Sequence, residues 1–142
     1  METTMKKALG VALLLLTSST FAQQSDEVFQ GLGGKDGIHK LVTDFLPIIT
    51  SDERIKHQFD DADMKHLAKM LAEQFCAVSG GPCKYTGKDM RTIHADLGIT
   101  NAQFNALAED LQSAMDKQGI APAIQNKLVA RLAPMQHEIV TK

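Results

Sequence analysis

"GGPCKYTGKDMRTIHADLGIT", residues 80–100, is the stretch on which the interpretation of the whole chain depends. It contains His94. Met90, Ile93 and Leu97 lie at i−4, i−1 and i+3 from it, a spacing that places side chains on one face of a helix. A lone imidazole on an apolar face is usually a core side chain with a satisfied hydrogen bond. The rest of the chain must therefore decide what His94 does.

Apolar residues recur at helical spacing on both sides of this stretch, and none alternates convincingly with period two. The predicted fold class is therefore all-α. Helix start and stop signals set the expected boundaries. They predict a first helix over 37–50, which contains Pro47, and a second helix that begins at a cap at Asp63 and ends at Gly80. A short third helix is predicted from Lys88 or Asp89 to Leu97. The fourth helix begins with the capping box "TNAQ" at 100–103 and ends at Gly119, and the fifth runs from near Pro122 to Ile139 with a bend at Pro134.

The first 22 residues resemble a secretory signal. Two lysines precede an apolar run from Ala8 to Leu16, and small polar residues follow up to Ala22. We expect a signal peptide over 1–22, a polar leader over 23–27 and one domain over 28–142, in the periplasm or secreted. An uncleaved anchor is the alternative. The run is shorter than the roughly 20 residues of a membrane span, so we expect no stable span after cleavage.

The net charge and the two cysteines further limit the functions that this chain could have. The formal net charge of −2 offers no basic surface for nucleic acid. In an exported chain Cys76 and Cys83 favour a disulfide over two free thiols. Six residues separate the two cysteines, whereas two to four residues usually separate paired cysteine ligands in zinc sites, so the spacing does not favour a zinc site. There is no Gly-x-Ser-x-Gly, HExxH or phosphate-binding loop, so nothing indicates a hydrolase. His39 and His137 fall off the apolar faces of their helices and are expected at the surface.

Four segments together carry a family resemblance: "FQGLGGKDGIHKLVTDF", "ADMKHLAKMLAEQF", "GGPCKYTGKDMRTIHADLGIT" and "APAIQNKLVARLAPMQHEIV". In this order they resemble truncated haemoglobins of the first group, over about Val28 to Val140. Each motif alone would be weak, whereas the ordered set is specific. The resemblance implies a short two-over-two helical sandwich around haem b, which binds a diatomic gas (O₂, NO or CO).

The resemblance also implies roles for individual residues. His94 matches the proximal histidine, the protein ligand of the haem iron. Leu46, Leu67 and Leu71 match positions that face the bound gas. The remaining haem-contacting positions are apolar, and plain core packing would explain several of them nearly as well: Phe45, Phe59, Met90, Phe104, Leu107 and Leu132.

Two gas-facing positions depart from the family pattern. Many members have tyrosine where this chain has Leu46 and glutamine where it has Leu71, and both donate hydrogen bonds to dioxygen. A lost hydrogen bond to a partly charged ligand costs on the order of 1.5 to 3 kcal/mol, and two would raise the oxygen off-rate by several powers of ten. We therefore expect the site to bind carbon monoxide or nitric oxide rather than to store oxygen tightly or to catalyse efficient nitric oxide dioxygenation. We expect the protein to be primarily a binding protein, with slow nitric oxide or peroxide chemistry at most.

Other interpretations stay open. Met70 or His66 could supply a sixth ligand to the iron, which would favour electron transfer or redox sensing. An unidentified reductase is the protein partner that redox chemistry would require. A haem-free helical module that binds a partner through an apolar groove is the remaining alternative.

Overall fold

The computed structural model describes residues 27–142, and every regular element within them is helical. The predicted signal peptide and most of the polar leader lie outside the described residues. A helical turn over 27–31 precedes six α-helices, with 3₁₀ turns at Lys56–Phe59 and Ala133–Met135. The helices are α1 Gly34–Ile49, α2 Met64–Val78, α3 Met90–His94, α4 Asn101–Lys117, α5 Pro122–Leu132 and α6 Gln136–Ile139.

The four long helices form two packed pairs, α1 with α2 and α4 with α5. α1 packs against α2 and against α4, while α2 also contacts α5 and α4 contacts α5. The short α3 contacts α6 instead. The largest fully buried side chains include four of α1, namely Ile38, Leu41, Phe45 and Ile49, together with Met115 of α4 and Leu128 of α5. This two-over-two arrangement confirms the predicted fold class, and it leaves α3 at the side of the core.

Helix caps confirm most of the predicted boundaries. The Asp63 carboxylate accepts hydrogen bonds from the backbone N–H groups of Lys65 and His66, both at 3.0 Å. Thr100 and Gln103 form the predicted capping box of α4. α1 ends at Ile49, shortly after Pro47. Pro134 lies in the 3₁₀ turn that separates α5 from α6, so the predicted bend is a break.

α3 is shorter than predicted. It spans only five residues, and Asp89 caps it. Residues 95–97 form a turn, so Leu97 does not continue the helical face of His94. Ile93 and Leu97 are 42% and 43% exposed, which corrects the expectation that they flank His94 within the core.

Asp63 gives a direct test of helix capping. We expect Asp63→Ala to lower the free energy of unfolding by about 1 kcal/mol, because two N–H groups of the first turn of α2 lose their acceptor. Asp63→Asn keeps an acceptor oxygen and should retain most of the stability. Urea unfolding followed by circular dichroism measures both variants, and equal losses in the two would contradict the capping role.

Cys76 and Cys83 form a disulfide, in agreement with the interpretation favoured by the sequence. The bridge joins the last turn of α2 to the loop that leads to α3. Closing a loop of this length lowers the entropy of the unfolded chain, which stabilises the folded state by roughly 2 to 3 kcal/mol in the loop-entropy description. No helix among residues 27–142 is long and apolar enough to cross a membrane.

A carboxyl group is buried where α4 meets the turn after α1. The Asp110 side chain is only 9% exposed, and its Oδ1 lies 3.8 Å from Arg54 Nη2. Burial, helped by the negative charge of Asp52, raises the pKa of Asp110 to about 6. The adjacent Arg54 guanidinium instead lowers the pKa of Asp52 to about 2.

These pKa shifts predict how stability changes with pH. Because the pKa of Asp110 is higher in the folded protein, the folded state holds a proton that the unfolded state releases between about pH 4 and pH 6. The contribution of Asp110 to stability therefore falls as pH rises through that window. The contribution of Asp52 has the opposite sign and is lost only as pH falls below about 4.

We expect Asp110→Asn to raise the free energy of unfolding at pH 7 by on the order of 1 to 2 kcal/mol and to flatten its slope between pH 4 and 6, since the cost of ionising a buried carboxyl disappears. Urea unfolding at several pH values measures this. Asp61→Asn, at an exposed aspartate, is the matched control. A slope that survives in Asp110→Asn would show that another group titrates in this window.

Candidate functional site

A cavity of about 320 Å³ opens between α2, α3, α4 and the C-terminal helices. This volume lies within the range of small-molecule sites. The walls are predominantly apolar. The lining residues are Phe45, Leu67, Met70, Leu71, Gln74, Phe75, Tyr85, Met90, Ile93, His94, Phe104, Asn105, Leu107, Ala108, Leu111, Val129, Leu132, Ala133, Met135, Gln136 and Ile139.

Eight of the ten site residues predicted from sequence line this one cavity: Phe45, Leu67, Leu71, Met90, His94, Phe104, Leu107 and Leu132. Leu46 and Phe59 do not. Both are partly buried and pack against the hydrophobic core, so their roles at the haem stay predictions.

His94 differs from the other histidines of the chain. His39, His57, His66 and His137 are exposed, whereas His94 is half-buried and lines the cavity. Its Nδ1 lies 2.8 Å from the backbone oxygen of Met90. Since a carbonyl oxygen only accepts, Nδ1 carries the proton and donates it, which leaves Nε2 with its lone pair. A metal-binding imidazole needs this tautomer and such a partner on its other nitrogen.

Several contacts hold α3 in place although it is short. Asp89 accepts hydrogen bonds from Thr92 N at 2.9 Å and from Thr92 Oγ1 at 2.7 Å. These donors lower the pKa of the Asp89 carboxyl. Upstream, Tyr85 donates its hydroxyl to the Lys88 oxygen at 2.8 Å. The position of His94 is thus set by the loop that precedes α3 together with the contact between α3 and α6.

α2 supplies a second wall. Leu67 and Leu71 are half-buried and line the cavity, and Met70 is 7% exposed and lines it too. A side chain at Gly87 would come within 2.7 Å of Met70 Sδ, so this sulfur packs closely against the loop before α3. His66 lies on the same helix but is exposed and does not line the cavity.

Gln74 is a polar wall residue that the sequence interpretation missed. Its Nε2 lies 3.3 Å from Met90 Sδ and 3.6 Å from Met135 Sδ. Thioether sulfurs are weak acceptors, so this amide is only weakly satisfied. In the sequence, nothing next to a glutamine in the apolar pattern of α2 indicates that its side chain lines a cavity. Tyr85, Asn105 and Gln136 are the other polar wall residues that were not predicted for the site.

The chemistry of the cavity lining fits an apolar cofactor held by one metal–nitrogen bond. Six of its predicted wall residues are only half-buried although apolar: Leu67, Leu71, Met90, Phe104, Leu107 and Leu132. Ile93 also lines it and is largely exposed. Among residues 27–142 no group of three or more histidine, cysteine or acidic side chains could hold a metal ion by itself. A single imidazole facing apolar walls matches a metal that arrives within a macrocycle.

Comparisons with known proteins agree with this geometry. The family model described as bacterial-like globin matches residues 27–141. A group 1 truncated haemoglobin of Tetrahymena thermophila is 33% identical over 97 residues, covering 68% of this chain and 80% of that protein. GlbN of Synechocystis, also a group 1 truncated haemoglobin, is 35% identical over 100 residues, covering 66% and 78%.

A solved structure shares the fold over nearly its whole length. The crystal structure of truncated haemoglobin from Tetrahymena pyriformis in its Fe(III) form superposes with a TM-score of 0.78 at 28% identity, covering 81% of this chain and 98% of that one. The chain is therefore a member of the group 1 truncated haemoglobins, within the bacterial-like globins, and a haem b protein whose gas binding depends on that cofactor.

Proposed function

We propose that this protein holds haem b through His94 Nε2 and binds a diatomic gas reversibly on an apolar side formed by α1 and α2. The observation that carries the proposal is the hydrogen bond from His94 Nδ1 to the Met90 oxygen, 2.8 Å long, on a histidine that lines the cavity. It fixes the tautomer whose free nitrogen can bind iron. When bound, haem supplies an iron atom with a coordination position for the gas.

The α2 wall determines the preferred gas. Leu67 and Leu71 offer no hydrogen-bond donor, and the polar Gln74 amide faces the sulfurs of Met90 and Met135. Dioxygen becomes strongly polarised when bound and gains most from a donor, whereas carbon monoxide and nitric oxide need it less. We therefore infer that the protein retains carbon monoxide or nitric oxide better than dioxygen. Sensing or delivery of such a gas is the corresponding use.

A six-coordinate haem is the second candidate, because Met70 lines the same cavity. Histidine and methionine ligation raises the reduction potential and suits electron transfer, which would require a reductase or another redox partner. The packing of Met70 Sδ against Gly87 favours the first candidate, since the sulfur would have to leave this contact to reach a metal.

Export is a further part of the proposal. The signal-like residues 1–22 support it, and so does the Cys76–Cys83 disulfide, since such bridges persist in oxidising compartments. We infer a mature globin domain over 28–142 in the periplasm or outside the cell. Intact mass of the protein recovered from a periplasmic fraction checks both the cleavage after Ala22 and the bridge.

Absorption spectra of the ferric, ferrous and carbon monoxide forms test the proposal. We expect a Soret band that shifts on addition of carbon monoxide, and a broad single visible band in the ferrous protein without gas. Sharp, split ferrous bands without added gas would support the six-coordinate candidate instead. Protein that takes up no haem would contradict both candidates.

A further inference from the structure

A second groove, of about 410 Å³, lies between α1 and α2 and is separate in its lining from the haem cavity. Its apolar floor includes Ile38, Val42 and Ala72, and the Cys76–Cys83 disulfide forms part of its wall. Its polar lining residues are Lys35, His39, Thr43, Lys69 and Glu73. The groove thus combines positive charge at its edges with a reactive bond in its wall.

The two cysteines both line the groove but differ in their exposure. Cys76 is only 2% exposed, whereas Cys83 is half-buried. The chain covers Cys76 closely, since a side chain at Gly81 would come within 2.7 Å of its Sγ. Thiol–disulfide exchange needs a thiolate to reach a sulfur. An attacking thiol in the groove would therefore reach Cys83 and displace Cys76.

The bridge also restrains the segment that positions His94. Beyond Cys83 the loop is fastened to α2 once more, because Glu73 Oε2 accepts hydrogen bonds from Thr86 N at 2.9 Å and from Thr86 Oγ1 at 2.7 Å. α3 follows within four residues and is itself only five residues long. A short helix at the side of the core opens locally at low cost once its attachments are removed.

We propose that the α1–α2 groove admits a small anionic thiol to Cys83, and that opening of the disulfide loosens α3 and weakens the retention of haem by His94. The last step rests on the proposed function. Lys35 and Lys69 supply the positive charge. Glu73 stays ionised and forms an ion pair with Lys69, whose Nζ lies 3.2 Å from Glu73 Oε1, so the excess positive charge of the groove lies mainly on Lys35.

The exchange balances with two thiol molecules. The first thiolate attacks Cys83 Sγ, the S–S bond breaks, and Cys76 leaves as a thiolate that takes a proton from water. The second thiolate attacks the added sulfur of the mixed disulfide and releases Cys83 as a thiol after protonation. The protein gains two electrons and two protons, and the two thiols become one small-molecule disulfide.

The first experiment measures cleavage rates of the native disulfide by three small thiols of different charge. We use 2-mercaptoethanesulfonate, 2-mercaptoethanol and cysteamine, and compare rates per thiolate by mass spectrometry after alkylation. The anionic thiol is expected to react about fivefold faster than the neutral one at low salt, with the advantage lost at high salt. Lys35→Gln should reduce the advantage, whereas Lys40→Gln, on the same helix outside the groove lining, should keep it. Equal rates for the three thiols, or cleavage only in denaturant, would overturn the proposal.

The second experiment follows amide hydrogen exchange before and after reduction and alkylation, without haem. Exchange at Ile93 N, which donates to the Asp89 oxygen, is expected to rise at least tenfold, while Phe104 N in α4 changes little. The Cys76→Ala/Cys83→Ala variant should repeat the result without alkylation. A uniform rise at both amides, or none, would overturn the local coupling.

Haem transfer to an excess of an apo-globin acceptor completes the test. We expect faster loss from the reduced protein than from the bridged protein. Unchanged loss despite faster α3 exchange would overturn the link to haem retention. If neither form takes up haem, the proposed function fails, and the thiol and exchange results still decide the first two steps.

Discussion

His94→Gly is expected to abolish the normal ferrous spectrum and to speed haem loss by at least about 100-fold. Even the partners that orient a metal-binding histidine are commonly worth about 10- to 100-fold in affinity, and here the nitrogen donor itself is removed. The remaining apolar walls would still bind the macrocycle weakly. Stopped-flow transfer of haem to an apo-globin acceptor measures the rate.

Imidazole rescue distinguishes loss of a ligand from loss of structure. In His94→Gly, added imidazole should occupy the vacated space and restore the ferrous spectrum, because it supplies the same donor nitrogen without the chain. His66→Gly removes an exposed histidine of α2 that does not line the cavity, and should behave like the parent protein. A normal spectrum of His94→Gly without imidazole would assign the iron ligand to another residue.

Leu71→Gln is expected to slow oxygen dissociation by roughly 10- to 100-fold. Leu71 lines the cavity without a donor, and a hydrogen bond to a polarised ligand is worth about 1.5 to 3 kcal/mol. Carbon monoxide dissociation should change little, since that ligand is less polar. Laser photolysis and stopped-flow replacement measure the two rates.

Leu71→Met is the matched control, because it changes the shape of the side chain at nearly the same size without adding a donor. It should leave the oxygen rate close to that of the parent. Leu67→Gln tests the neighbouring position of the same wall. If Leu71→Gln and Leu71→Met change the rate equally, the gas does not lie beside Leu71, and the inferred orientation of the α2 wall is wrong.

Local signals made much of the fold predictable. Asp63 caps α2 and the Thr100–Gln103 pair caps α4, as expected, because each cap depends on residues within a few positions along the chain. The predicted length of α3 was wrong. Ile93 and Leu97 have helical spacing with His94, but a five-residue helix at the side of the core cannot bury them.

Tertiary placement was harder to predict within the site. Nothing near Gln74 in sequence indicates that its amide meets the sulfurs of Met90 and Met135, since these lie 16 and 61 residues away. The family resemblance identified eight of the cavity residues by position. It did not indicate that Leu46 and Phe59 would pack against the core outside the cavity lining.

The half-buried walls of the cavity make the folded population dependent on cofactor supply. Leucine, methionine and phenylalanine side chains there keep apolar surface that only an occupant would cover, and covering it stabilises the fold by roughly 25 cal/mol for each Å². A ligand that binds only the folded state raises its stability in proportion to the logarithm of the free ligand concentration. Chains made while haem is scarce would unfold more often and be degraded sooner, so the abundance of this globin should follow haem availability without any change in its synthesis.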